Sequence, residues 1–231
     1  MIYITGDTHG ALDIGKLNTK NFPEQKQMTK DDFVIVCGDF GFPWGGKYSG
    51  EDRYWLKWLE DKPFTTLYVD GNHENYDLLE TYPIEEWKGG RIQKLNSSVF
   101  HLCRGSVFTL QGKTFLTFGG AKSHDIAFRI PHRSWWVQEE PTAAECEAGM
   151  AALDAAGWRV NYVLTHTAPM SLSPYRDGDC AEKYLDAVYG RLSFDRWFCG
   201  HFHLDREIEA DRRVRFVYDD LCRIETDANE N

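Results

Sequence analysis

The sequence predicts a mixed α/β fold in which two β-sheets pack against each other. The first half of the chain alternates apolar strand-like runs with helical stretches, a pattern that favours parallel strand pairing. Residues 92–118 form successive strand-like runs without an intervening helix, which favours antiparallel hairpins or a meander. The chain has 231 residues, of which 14% are aromatic, so it can bury a substantial core and is expected to form one domain.

The individual elements follow from residue type and spacing. Strands are predicted where short runs of β-branched and aromatic residues are bounded by turn-forming residues, at 2–5, 33–37, 66–69, 92–95, 99–102, 106–110, 114–118, 162–165, 197–199, 206–209 and 214–218. Helices are predicted at 53–61, 142–156 and 180–189 from the helical spacing of apolar residues and from their capping residues. Thr142 and Glu145 match a capping box, and Asp179 is a suitable N-cap for the third helix.

The composition restricts the partners and the compartment. The formal net charge is -10 and the pI about 5.3, which disfavours binding of long nucleic acid. None of the six cysteines forms a CxxC pair, no secretory h-region is seen, and no apolar run is long enough to span a membrane. We therefore expect a cytoplasmic, reduced protein without membrane attachment, with its domain at 1–223 and a frayed polar tail at 224–231.

The chain begins MIYITGDTHG, where an apolar run ends in Asp7 and His9 between two glycines. Residues two apart in extended backbone point the same way, so the carboxylate and the imidazole are expected to converge on one point. Alone, the pair is a weak metal signal, because aspartate is also a common turn residue.

Four further strand-like runs end in side chains of the same chemical types. They are FVIVCGDFG, TLYVDGNHEN, NYVLTHTAP and RWFCGHFHLD, which contribute Asp39, Asn72 with His73, His166, and His201 with His203. Because ligands of α/β sheets bind at the carboxyl ends of strands, these endings are expected to meet at one rim. The mix of imidazole and carboxylate favours Mn, Fe, Zn or Ni over Ca or Mg, and two such cations about 3.5–4 Å apart can promote phosphoryl transfer.

The ordered motifs GDTHG, GDFG, GNHE, TH and GHFH resemble the calcineurin-like metallophosphoesterase superfamily, from Gly6 to His203. The resemblance implies a two-sheet β-sandwich of mixed sheets flanked by helices. It also implies two divalent transition-metal ions, with manganese expected and iron, zinc or nickel as alternatives. The implied ligands are Asp7, His9, Asp39 and His203 for the first metal, and Asp39, Asn72, His166 and His201 for the second, with Asp39 bridging.

The same resemblance implies hydrolysis of phosphate mono- or diesters by a metal-bound hydroxide. His73 is expected to face the phosphate and to protonate the leaving oxygen or stabilise the transition state, while Asp39 takes part as the bridging ligand. The expected substrates are small phosphorylated molecules, nucleotides or phosphopeptides. A non-catalytic metal-binding scaffold with the same fold is the alternative from another class, and the retained His73 argues against it.

Two arginines that bind phosphate in the Ser/Thr protein phosphatases of this superfamily are missing. The residues that follow Asp39 are Phe40, Gly41, Phe42, Pro43 and Trp44, and Asp70 precedes Gly71. A Ser/Thr-type protein phosphatase is therefore only an alternative function.

Residues 119–141, GGAKSHDIAFRIPHRSWWVQEEP, resemble a segment of a bacterial and phage-borne branch of the superfamily. Residues 121–141 of it are expected to have little regular structure, and long segments of this kind are often lids or binding loops. Arg129, His132 and Arg133 are candidates for binding the substrate phosphate in place of the missing arginines. Trp135 and Trp136 are expected either to stack on a substrate ring or to cover the core.

Overall fold

The computed structural model describes residues 1–46, 49–176 and 178–224. Within these ranges the strands are β1 (Ile2–Thr5), β2 (Phe33–Cys37), β3 (Thr65–Val69), β4 (Ile84–Trp87), β5 (Gly90–Lys94), β6 (Val99–Leu102), β7 (Ser106–Leu110), β8 (Lys113–Phe118), β9 (Tyr162–Thr165), β10 (Arg196–Cys199), β11 (Arg206–Ile208), β12 (Asp211–Phe216) and β13 (Cys222–Ile224). The α-helices are α1 (Gly50–Glu60), α2 (Tyr76–Leu79), α3 (Ala143–Ala155) and α4 (Cys180–Tyr189).

The strands form two mixed sheets. The first has seven strands in the order β13-β1-β2-β3-β6-β5-β4, and the second has six in the order β11-β12-β10-β9-β8-β7. Strands β1, β2, β3 and β6 are parallel to one another, as are β8, β9, β10 and β12. The hairpins β5–β6 and β7–β8 are antiparallel. The predicted α/β class with two packed mixed sheets is therefore confirmed.

Side chains alternate between the two faces of each strand, so the core has separate layers on either side of each sheet. Ile2 and Ile4 point between the sheets and are fully buried among residues of both, whereas Tyr3 points outward to the layer that contains Leu59 of α1. The outer face of the second sheet packs against α3 and α4, where Leu153 contributes to the buried cluster. Burying both faces of each sheet accounts for the near-continuous apolar runs in the sequence.

The helix ends follow the predicted capping. The Thr142 hydroxyl accepts a hydrogen bond from the Glu145 amide (3.3 Å), and the Glu145 carboxylate accepts one from the Thr142 amide (2.8 Å). Asp179 caps α4 by accepting from the amide of Glu182 (2.7 Å). The short elements α2, β4 and β13 are not predictable from the local sequence pattern.

The C-terminal strand closes the edge of the first sheet. Ile224 pairs with Ile2 in antiparallel register, so the first residue of the predicted tail belongs to a strand. Residues 225–231 of that tail lie outside the described residues. In the described part of the chain, no helix is both long enough and apolar enough to cross a membrane.

A buried polar network lies beside the end of β3. The Asp70 carboxylate forms an ion pair with Arg104, whose Nε is 2.7 Å from Asp70 Oδ2, and it accepts a hydrogen bond from Tyr76 Oη (2.9 Å). His101 Nε2 lies 3.1 Å from the same carboxylate, and the Arg104 guanidinium also donates to the carbonyl of Gln138 (2.7 Å). The position at which a phosphate-binding arginine is missing is thus occupied by an aspartate that binds an internal arginine.

Removing the Arg104 guanidinium should destabilise the fold by about 3–5 kcal/mol, because Asp70 would stay buried without its charged partner. Urea denaturation of an Arg104→Met variant measures this change in the free energy of unfolding. Adding Asp70→Asn removes the unpaired charge, so the double variant should recover at least half of the loss. A single variant as stable as the parent would contradict this role for the ion pair.

Candidate metal centre

The predicted rim forms where the carboxyl ends of five strands from both sheets meet. Strands β1, β2 and β3 of the first sheet and β9 and β10 of the second each end beside it. The residues placed there are Asp7 and His9 after β1, Asp39 after β2, Asn72 and His73 after β3, His166 after β9, and His201 and His203 after β10. Side chains that are far apart in sequence therefore share one edge of the sandwich.

The first group of potential ligands surrounds Asp7. His203 Nε2 lies 3.2 Å from Asp7 Oδ2, and His9 Nε2 lies 3.9 Å from the same oxygen. His9 Nε2 also lies 3.4 Å from Asp39 Oδ2. One potential ligand atom each from Asp7, His9 and His203 can therefore face a common ion.

The second group surrounds the other oxygen of Asp39. His166 Nε2 lies 3.2 Å from Asp39 Oδ1 and 3.0 Å from Asn72 Oδ1. The Asn72 amide nitrogen donates to Ser123 Oγ (3.2 Å), which directs its oxygen towards His166. The His201 ring packs against His166, with centroids 4.9 Å apart.

The spacing and burial of these atoms fit metal binding. Ligand atoms about 2.1 Å from a shared ion lie about 3.0–3.4 Å apart in octahedral or tetrahedral geometry, close to most of the observed separations. Asp7 Oδ2 is buried and has no hydrogen-bond partner among the described residues. A buried carboxylate oxygen without a donor is costly, and a cation between Asp7 and its two histidine neighbours would satisfy it.

Hydrogen bonds fix two of the histidines with Nε2 towards the centre. His9 Nδ1 lies 2.8 Å from the carboxylate of Asp13, and His166 Nδ1 lies 2.9 Å from the carbonyl oxygen of Cys37. An acceptor at Nδ1 holds the proton there and leaves Nε2 free to ligate, the usual arrangement for metal-binding histidine. Asp13 is not among the residues predicted from sequence, although its position four residues after His9 was a usable signal.

Replacing Asp13 with alanine should weaken metal binding about 10- to 100-fold, because His9 would lose the acceptor that orients it. Titration of chelator-stripped protein with Mn²⁺ measures the affinity. Asp61→Ala is the matched control, since Asp61 forms an exposed ion pair with Lys57 on α1. Unchanged affinity in Asp13→Ala would show that His9 needs no such support.

The carboxylates dominate the electrostatics of the rim. Burial opposes charging of His166, but Asp39 outweighs it and raises the pKa of His166 to about 10. Burial also opposes charging of His9, whose pKa Asp39 raises to about 9. Burial lowers the pKa of His201 to about 3, and His166 adds to this shift. Positive charge is thus favoured beside the carboxylates, as a cation site requires.

Two glycines allow the strand ends to approach the carboxylates. A Cβ on Gly71 would lie 2.1 Å from Asp39 Oδ1, and one on Gly200 would lie 2.2 Å from Asp7 Oδ1. No side chain fits at either point without moving a carboxylate. The two glycines are therefore needed for the carboxylates of Asp39 and Asp7 to lie where they do.

Four of the potential ligands have left-handed backbone conformations. The φ angles are 43° at His9, 47° at Asp39, 67° at His201 and 50° at His203. Non-glycine residues rarely adopt such angles, and those that do cluster at functional sites. Buried Glu74 holds the turn after Asp39 by accepting from the amides of Phe40 (2.8 Å) and Gly41 (3.1 Å).

His73 lies at the edge of the centre beside Arg129. Its Nε2 is 4.0 Å from Asp39 Oδ2, and 31% of its side chain is exposed. The Arg129 guanidinium nitrogens lie 3.2 Å from His73 Nδ1 and 3.3 Å from Nε2. Burial lowers the pKa of His73; Asp39 opposes that shift and Arg129 adds to it. A cationic group and an imidazole thus lie side by side where a phosphate could reach both.

The other candidate residues of segment 119–141 have different surroundings. The His132 side chain is 68% exposed, with Nδ1 3.0 Å from the Asp77 carboxylate, and Arg133 is exposed. Trp136 is buried in a small cluster with Tyr76 of α2, which makes it a core residue. Trp135 is half-buried.

The two-sheet sandwich, with carboxylates and imidazoles at its strand ends, is that of a metal-dependent phosphoesterase. Residues 1–205 match the family model for calcineurin-like phosphoesterase, and the chain belongs to this family. The resemblance drawn from the five motifs is confirmed at this level. All the candidate ligands lie within the matched residues.

One curated relative is lariat debranching enzyme A of Xenopus laevis. It is 30% identical over 106 residues, a match that covers 39% of this chain. The chain matches only about a fifth of the length of that relative, 19%. The similarity therefore supports family membership.

Proposed function

We propose that this protein is a binuclear metal-dependent phosphoesterase that hydrolyses phosphate mono- or diesters of small molecules, nucleotides or phosphopeptides. The observation that carries the proposal is the position of Asp39. Its Oδ2 lies 3.4 Å from His9 Nε2, and its Oδ1 lies 3.2 Å from His166 Nε2. A carboxylate with one oxygen in each ligand group could hold two divalent ions at once.

Divalent cations held by the two groups would neutralise phosphate charge and convert water into the attacking nucleophile. Imidazole and carboxylate donors suit manganese, with iron, zinc or nickel as alternatives. Asp7, His9, Asp39 and His203 would form one set of donors, and Asp39, Asn72, His166 and His201 the other. Asn72 adds an oxygen donor without adding negative charge, which keeps the site electrophilic.

The residues beside the centre would orient the phosphate and assist the leaving group. Arg129 would bind a non-reacting phosphate oxygen, in place of the arginines that are missing after Asp39 and before Gly71. His73, next to it, would donate a proton or a hydrogen bond to the leaving oxygen. The chain thereby assembles these functions from segments that are distant in sequence.

Replacing Arg129 with methionine should lower kcat/KM about 10- to 100-fold, because a charge-assisted hydrogen bond to the phosphate would be lost. Inhibition by inorganic phosphate should weaken in parallel, and bound metal should be unchanged. Arg191→Met is the control, since the Arg191 side chain is 62% exposed and pairs with Asp154. Parent kinetics in Arg129→Met would remove Arg129 from the phosphate site.

Two other functions compete with this proposal. A Ser/Thr-type protein phosphatase is disfavoured because Asp70, at the place of one of its arginines, is buried in an ion pair with Arg104. A non-catalytic scaffold would keep the metals and lose turnover. His73 at the edge of the centre favours catalysis.

The test is hydrolysis of matched aryl phosphate mono- and diesters by chelator-stripped protein, before and after addition of Mn²⁺. Activity restored by the metal supports the proposal, and the preferred ester sets the substrate class. Two bound metals per chain with both esters intact would favour the scaffold. The Asp39→Asn variant provides the background rate.

A further inference from the structure

A cleft of about 440 Å³ opens beside the candidate metal centre. His9 and His73 lie in its wall, so a group bound in the cleft would adjoin a phosphate at the centre. The loops after β1 and β2 and the start of α1 supply the rest of the lining, including Leu12, Phe42 and Trp44. One wall of the cleft therefore runs from His9 and His73 at the metal centre to the apolar and aromatic side chains.

Hydrogen bonds hold the backbone of Trp44, and an aromatic contact holds its ring. Its backbone amide donates to the Asp52 carboxylate oxygens (3.1 and 3.2 Å), and its carbonyl accepts from Asn75 Nδ2 (2.8 Å). The rings of Trp44 and Trp136 form a T-shaped pair, with centroids 5.5 Å apart and planes at 83°. The residue is still 38% exposed. A fixed, accessible indole loses little conformational entropy when a ligand stacks on it.

Away from His9 and His73, the charges of the cleft disfavour a negatively charged occupant. Among its described lining residues, Glu51 and Asp52 carry negative charge and none is lysine or arginine. The Asp52 carboxylate is occupied by backbone amides of residues 44 and 46. Exposed Glu51 would repel a second phosphate but could accept hydrogen bonds from ring N–H groups, and Ser49 adds a hydroxyl to the wall.

We propose that this cleft binds the base of a nucleoside monophosphate ester and that Trp44 is the residue on which the base stacks. The proposal rests on the phosphoesterase function argued above and names its substrate class. A cleft of this volume exceeds a single small ring and suits a base with its sugar. Trp44 is thus a specificity-determining residue rather than part of the hydrolytic centre.

The test compares adenosine 5′-monophosphate with ribose 5-phosphate, which have the same leaving oxygen and differ in the base. Trp44→Ala should lower kcat/KM for the nucleotide by roughly 5- to 150-fold, the range for loss of one stacking contact, and leave the sugar phosphate within about twofold. Trp44→Phe should retain most of the preference. Tyr54→Ala, an exposed aromatic on α1 outside the cleft lining, is the matched control and should change neither value.

An equal loss for both substrates, or no loss for the nucleotide, would overturn the proposal. If the parent hydrolyses neither compound with Mn²⁺, the phosphoesterase function itself fails for these esters. A measurement of adenosine binding then tests the base-binding cleft independently of turnover. Saturation-transfer NMR with unphosphorylated adenosine and metal-free protein should then show contact in the parent and none in Trp44→Ala. Absence of contact in the parent would overturn the base-binding proposal.

Discussion

Replacing Asp39 with asparagine is expected to lower kcat roughly 1,000-fold or more and to reduce the bound metal. Asp39 is the residue whose two oxygens face both ligand groups, so the substitution removes charge from two potential ion sites at once. Loss of a residue that hydrogen-bonds to a metal ligand already lowers metal affinity about 10- to 100-fold. Loss of a ligand that two ions share should lower the affinity further.

The asparagine variant should still fold. Its side-chain oxygen can accept the hydrogen bond that Asp39 Oδ1 receives from the His73 amide (2.8 Å). Metal content by mass spectrometry and kcat with Mn²⁺ are the two measurements, with Asp61→Asn as an exposed control of the same chemistry. Normal turnover in Asp39→Asn would refute the binuclear assignment.

Replacing His73 with alanine should lower kcat about 100- to 10,000-fold while metal content stays at the parent value. His73 Nε2 lies 4.0 Å from Asp39 Oδ2 and beside Arg129, at the edge of the ligand groups. Its loss should therefore affect the reaction more than metal binding.

The leaving group separates the roles available to His73. A nitrophenolate leaves without a proton, whereas an alkoxide needs one, so a proton donor is needed more for alkyl than for nitrophenyl esters. The deficit in His73→Ala should be larger for the alkyl ester. Simultaneous loss of metal and turnover would instead make His73 a ligand or a structural residue.

The strands that carry the centre were predictable because they are buried on both faces. Runs such as IYIT and FVIVC are mostly apolar and are followed by glycine, so their type and their ends are both visible in the sequence. Strand β4, IEEW, is largely exposed and exists through its pairing with β5. Strand β13 has three residues and depends on β1. Such edge strands depend on tertiary contacts that local sequence does not carry.

The candidate ligands could be found from sequence because each follows a strand, and strand ends meet by topology. The residues that orient them could not, apart from Asp13. Ser123, for example, reaches Asn72 from 51 positions away. Arg129 was a candidate from its charge, but its contact with His73 depends on the path of segment 119–141.

The left-handed backbone at His9, Asp39, His201 and His203 carries an evolutionary consequence. Each non-glycine residue in that conformation gives up roughly 1–2 kcal/mol, so the four together forgo roughly 4–8 kcal/mol, comparable to the net stability of a small domain. Selection for stability alone would favour glycine at these points. A homologue that no longer catalysed the reaction could therefore gain stability by replacing these residues with glycine. Glycines at these four positions would indicate that a homologue has lost the function.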